Sequence, residues 1–147
     1  MVIEDLNNKI IGTKDVNSLL DTMIEITKEK NYPLTEQKGF ETRFGLKGRH
    51  FSLGTGNKSI IIEAGRHGAE MIGIYNMMIL MNRMVRGWDP FRGIDLSEYT
   101  FHFIPVANPE CFEISSSAAK KINSKWYVKS WSNSKSKKIQ RSFRKRC

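Results

Sequence analysis

Long apolar runs are missing from these 147 residues. The most apolar stretch, Met71 to Met81, is interrupted by Gly73, Tyr75 and Asn76. It cannot supply the roughly 20 consecutive apolar residues of a membrane-spanning helix. Cysteine is scarce as well. Cys111 and Cys147 are the only two, which excludes a disulfide framework and a four-thiolate zinc site. A reducing, cytoplasmic setting is the expectation. The first residues, Met-Val-Ile-Glu-Asp-Leu-Asn-Asn-Lys, lack a basic start leading into an apolar stretch, so no secretory signal is expected. Acidic residues are absent from Ile114 to Cys147, where 11 of the 24 Lys and Arg lie. The preceding residues hold the other 13 basic groups and all 15 acidic ones. The net charge of +9 therefore belongs to the last quarter of the chain and not to the fold as a whole. Such a block is either a solvated face or a nucleic-acid-binding tail.

What is present suits one α/β domain with one core: 39% apolar and 27% charged residues, with no internal repeat. An amphipathic helix is predicted over 13–30, with Val16, Leu19, Leu20, Met23, Ile24 and Thr27 on one stripe and Pro33 stopping it. Residues 39–56 read as a hairpin turning at Gly45-Leu46-Lys47-Gly48. Residues 59–113 read as strand, helix, strand. Ser59 to Ala64 is rich in β-branched residues and reads as a central strand covered on both faces. Ala69 to Val85 has helical composition, with Ile72, Met77, Ile79, Leu80 and Met84 expected in the core and the methionines as its filler. Tyr99 to Val106 reads as a second buried strand ending at Asn108-Pro109. A helix is predicted from Ile114 to about Trp131, capped by Ser115-Ser116-Ser117, within a basic tail over 114–147. Strand, helix, strand with a long crossover predicts that the two apolar strands pair in parallel.

The segment that carries chemistry is Ala64-Gly65-Arg66-His67-Gly68-Ala69-Glu70, where the first apolar strand stops. Ligands of open α/β sheets bind at the carboxyl ends of strands. His67 and Glu70, three apart at a strand-to-helix turn, can offer an imidazole nitrogen and a carboxylate oxygen to one cation, a mixture that suits Zn²⁺. Gly65 and Gly68 let the backbone turn sharply there. A His and a Glu at this spacing also arise by chance, so the residues alone leave the metal role open.

The same residues resemble H-x-x-E, the first zinc-ligand motif of the zinc metallocarboxypeptidases (the carboxypeptidase A-like peptidases). Three further matches follow the family's order. Gly45-Leu46-Lys47-Gly48-Arg49 resembles, in shortened form, its G-x-S-x-x-G-R hairpin. Phe103 to Glu110 resembles the strand and N-P-D-G turn after the zinc helix, with Cys111 where the family has glycine. Phe143-Arg144-Lys145 resembles a W-R-K segment. The matches cover roughly 38–147. The resemblance implies a mixed, largely parallel sheet flanked by helices, a truncated form of the zinc-carboxypeptidase (phosphorylase/hydrolase-like) fold. It also implies a zinc ion held by His67 and Glu70, and Arg144 as the substrate-binding and catalytic arginine that stabilises the oxyanion.

The implied activity is hydrolysis of a peptide substrate. Ala69 stands where the digestive members have arginine. His-Gly-x-Glu is closer to the bacterial branch, including enzymes that trim cell-wall peptides, and to aspartoacylase-like amidases, which stay open as an alternative. The family's Asn-Arg substrate clamp, second zinc histidine and general-base glutamate lie beyond the matched region. The expectation is thus an N-terminal half, inactive alone and completed by a C-terminal half. His50 and His102 read as structural. A nucleic-acid partner through Lys125, Trp126, Tyr127, Lys129 and Trp131 is the other alternative, set against a solvated amphipathic helix with its aromatics packed inward.

Overall fold

The computed structural model describes residues 13–43, 45–68, 70–87 and 93–119. In chain order the elements are α1 (Thr13–Thr27), β1 (Thr35–Glu41), β2 (Lys47–Leu53), β3 (Lys58–Glu63), α2 (Met71–Val85), β4 (Tyr99–Ile104) and α3 (Pro109–Ala119). The four strands form one mixed sheet in the order β1-β2-β4-β3. β1 pairs with β2, and β2 with β4, antiparallel; β3 and β4 pair in parallel from Lys58↔Tyr99 to Glu63↔Ile104, with α2 as their crossover. The parallel pairing expected of the two apolar strands is present and the sheet is mixed as expected, but it is not largely parallel among the described residues: the hairpin adds two antiparallel pairings to the one parallel one.

Alternation decides which face of the sheet is dry. Phe51 and Leu53 on β2 lie opposite Phe103 and Phe101 on β4, and all four are buried. They pack with Val16, Leu20 and Met23 of α1 and with Ile74, Met78 and Met81 of α2 in one core. Arg49, on the same face of β2, ties the hairpin to α1. Its guanidinium donates to both carboxylate oxygens of Glu36, at 2.8 and 2.7 Å, and pairs with Asp21 at 2.7 Å. Buried Thr27 closes α1: its hydroxyl donates to the Met23 carbonyl at 2.9 Å and accepts from the Leu34 amide at 3.0 Å. That amide would otherwise be a buried donor without a partner.

Several expectations are corrected. α1 ends at Thr27, and 28–30 form a turn. The hairpin strands begin at Thr35 rather than 39, because Gly39 lies inside β1, where its lack of a Cβ permits close approach to the Gly48 carbonyl. The turn is formed by Thr42 and Leu46, with the Thr42 amide donating to Leu46 at 2.8 Å. α2 is apolar almost all round, so composition alone did not mark its inner face; Ile72 is 67% exposed while Ile74, Met78 and Met81 are buried. β3 is an edge strand among the described residues, not a doubly covered one, and Ile61 is 70% exposed. α3 starts at Pro109, which leaves Ser115–Ser117 inside the helix and puts the expected 113/114 boundary within it. Asn108 is its cap, accepting the Cys111 amide on Oδ1 at 3.0 Å, and proline is pre-organised for the first helical position. No helix among the described residues is long and apolar enough to cross a membrane.

Candidate metal centre

β3 and β4 run on in parallel past their last ladder residues. The Ala107 amide donates to Ala64 at 2.8 Å and the Asn108 amide to Gly65 at 3.0 Å, so the two strand ends are laced together where the chain turns toward α2. Gly65 sits at φ 67°, and a side chain there would press on Ile74 and Val106. Gly68 is buried with its α-carbon against the backbone of Cys111 and Phe112, in the first turn of α3. These two glycines hold the 65–68 loop between α2 and α3, and the loop presents His67.

Glu70 is the residue before α2. Its side chain makes no capping hydrogen bond, which leaves the carboxylate available to a ligand. The Glu70 amide donates to the His67 carbonyl at 3.0 Å, closing a turn that brings the two side chains together. His67 Nδ1 and Glu70 Oε1 are 3.8 Å apart, and both side chains are exposed. That gap is too long for a hydrogen bond. Two donors each about 2.0–2.2 Å from one zinc ion can be at most about 4.4 Å apart, so the pair is within chelating reach. The residues fit two positions of a zinc site. Among the described residues no group of three His, Cys, Asp or Glu side chains converges.

The pair faces a cleft of about 420 Å³ lined by Ile62, Glu63, Arg66, Asn76 and Leu80 among others. Sequence reasoning singled out neither Arg66 nor Asn76. Arg66 donates to Glu63 at 2.6 Å across three residues, a spacing visible in the sequence, and the guanidinium holds the Glu63 carboxyl below its ordinary range. Asn76 lies nearly two turns along α2 from Glu70, the only amide side chain on the cleft wall among the described residues. Cys111 is buried in α3 and takes no positive φ, a geometry confined to glycine among the described residues. Arg144 and the basic stretch over 120–147 lie outside the described residues.

The family model of the zinc carboxypeptidases, peptidase family M14, matches residues 22–147. The chain belongs to the zinc carboxypeptidase family. Solved structures share the fold of this zinc carboxypeptidase chain. Bovine thrombin-activatable fibrinolysis inhibitor, in complex with a tick carboxypeptidase inhibitor, is 14% identical with a TM-score of 0.57; the match covers 78% of this chain and 34% of that one. A metallo-carboxypeptidase from Burkholderia cenocepacia is 20% identical with a TM-score of 0.53, covering 70% of this chain and 28% of that one. The chain thus spans about a third or less of the length of these structures. No curated protein matches the sequence. The carboxypeptidase fold and family expected from the four motifs are those found.

Proposed function

We propose that this chain supplies the amino-terminal part of a zinc-dependent carboxypeptidase-type hydrolase of peptide bonds, with His67 and Glu70 as two protein donors to the zinc. The observation that carries the reading is the convergence of these two side chains at the carboxyl end of β3, inside the segment matched by the zinc carboxypeptidase family. A bound zinc ion supplies Lewis acidity, polarising a scissile carbonyl and lowering the pKa of a bound water. The chain's own part is to orient the donors. The glycine-held loop fixes the His67 backbone, and the uncapped start of α2 directs the Glu70 carboxylate into the cleft. Arg144 is assigned to the oxyanion, a role suited to a permanently charged fork of donors.

A third zinc donor and a general base come, in this reading, from outside the described residues. The chain has three histidines; His50 and His102 meet each other across β2 and β4, and among the described residues neither joins His67 and Glu70 in a group of three donors. The edge of β3 that is unpaired among the described residues, with Ile60 and Ile61 exposed, is where a completing segment adds a strand beside the cleft. The substrate class is a peptide, cell-wall peptides included, and the family match favours a carboxypeptidase over an aspartoacylase-like amidase. The low cysteine content keeps a cytoplasmic setting as part of the proposal.

Complementation tests it. The chain is mixed with a separately produced carboxy-terminal segment of a bacterial zinc carboxypeptidase, and release of a carboxy-terminal amino acid is followed. Zinc-dependent turnover by the mixture, abolished by Glu70→Gln, is expected. Turnover that survives Glu70→Gln overturns the assignment.

A further inference from the structure

The sheet carries a second cluster of ligating side chains that the candidate metal centre does not use. His50 on β2 and His102 on β4 meet with His50 Nε2 3.0 Å from His102 Nδ1. Their ring centroids are 5.2 Å apart and the planes tilt by 38°. Register explains the encounter. Ser52 lies opposite His102, and Gln37 opposite His50, so the two imidazoles are diagonal neighbours on the face turned away from Phe51 and Phe103. Gln37 donates through Nε2 to Ser52 Oγ at 2.8 Å. Two half-buried imidazoles, a hydroxyl and a carboxamide therefore form one polar patch across three strands, 52 residues separating the two histidines.

We propose that His50 and His102 chelate a divalent first-row cation of tetragonal preference, Cu²⁺ or Ni²⁺, at a site separate from His67 and Glu70. The separation of the facing nitrogens is set by the hydrogen bond between them, and it also lies within the bite of a single ion. Nitrogens about 2.0–2.1 Å from one ion and 3.0 Å from each other subtend roughly 91–97° at it. That is close to the angle between neighbouring positions of a square-planar or tetragonal site.

In the metal-free chain the facing nitrogens share one hydrogen. On loading, that hydrogen moves to the outer nitrogen of the same ring. Both facing lone pairs then bind the metal, with no net loss of a proton from the neutral pair. Imidazole is a good ligand for both ions, and Cu²⁺ heads the divalent affinity series. Among the described residues no third imidazole, thiolate or carboxylate completes the set. Water therefore fills the remaining positions.

The test is a Cu²⁺ titration of the whole 147-residue chain at neutral pH, read by electron paramagnetic resonance. The expected signal is a tetragonal one with coupling to two imidazole nitrogens. His50→Gln and His102→Gln should each weaken the affinity by more than about tenfold, at least the loss that follows removal of an outer-sphere partner; His67→Ala should leave it unchanged. A two-imidazole signal of wild-type affinity in both variants overturns the site, as does a signal lost only in His67→Ala. The wild-type chain gives a second readout that is independent of variant folding. In nitrogen-detected imidazole spectra, sub-stoichiometric Cu²⁺ should broaden His50 Nε2 and His102 Nδ1 together and before His67. Broadening of His67 first contradicts the proposal.

Discussion

Gly68→Ala tests whether the loop that presents His67 is held in place by close backbone packing. A methyl group at Gly68 would stand 2.0 Å from the Cys111 carbonyl carbon, 2.2 Å from the Phe112 nitrogen and 2.4 Å from the Cys111 oxygen, where ordinary contact begins near 3.4 Å. All three atoms are backbone of the first turn of α3, so no side chain can swing aside. The loop or the helix start must move by something on the order of an ångström, and overpacking of this kind typically costs about 1–3 kcal/mol. Because His67 precedes Gly68 directly, the same shift changes the 3.8 Å separation from Glu70. Zinc affinity is therefore expected to fall along with stability. Gly73→Ala is the control. It lies in the first turn of α2, and nothing lies within 4 Å of its added methyl. Inside α2 it should stabilise by about 0.5–1 kcal/mol through helix propensity. Urea unfolding followed by circular dichroism, with a zinc titration on each variant, reads both effects. A Gly68→Ala chain with the wild-type midpoint and wild-type zinc affinity would refute the reasoning.

Three further outcomes follow from the packing and the charge pairs. Phe103→Ala, at a fully buried position of the central strand, should cost about 3–5 kcal/mol in urea unfolding, and a loss below 1 kcal/mol would contradict its place in the core. Thr27→Val keeps the shape but strips the Leu34 amide of its 3.0 Å acceptor, for a loss of about 1–3 kcal/mol by the same measurement. The Glu63 carboxyl is held low by its hydrogen bond from Arg66. Its contribution is therefore present above the unfolded carboxylate range and lost as pH falls through the lower folded value. The midpoint difference between wild type and Glu63→Gln should be steady from neutral pH down to that range and vanish below it, and it should shrink with salt because the pair is exposed. A difference that grows on acidification would contradict the pairing.

Much of this architecture was legible in the residues. The stripe Val16, Leu19, Leu20, Met23 marks the inner face of α1 because a polar face stands opposite it. The apolar strands at 58–63 and 99–104 pair in parallel as strand–helix–strand order requires. α2 was harder. An almost wholly apolar helix carries no contrast from which to read its orientation, so exposed Ile72 passed for core. Three consecutive isoleucines in β3 likewise suppress the alternation that separates an edge strand from a covered one. Asn108-Pro109 read as a turn because its signals also serve a helix start; the hydrogen bond from the Cys111 amide decides between them.

His67 and Glu70 could be named from spacing and the strand end, but the separation of their donor atoms depends on the loop clamped by Gly65 and Gly68. The meeting of His50 and His102 is written nowhere in their neighbours. It is a consequence of the β2–β4 register.

Zinc titration, monitored by competition with a colorimetric chelator, bears most directly on the claim that His67 and Glu70 hold one ion between them. Completed by the carboxy-terminal segment, the wild-type chain should bind one zinc at this pair. His67→Ala and Glu70→Gln should each abolish that binding, and the double substitution should do no more than either alone. Equal zinc binding by wild type and both single variants would contradict it.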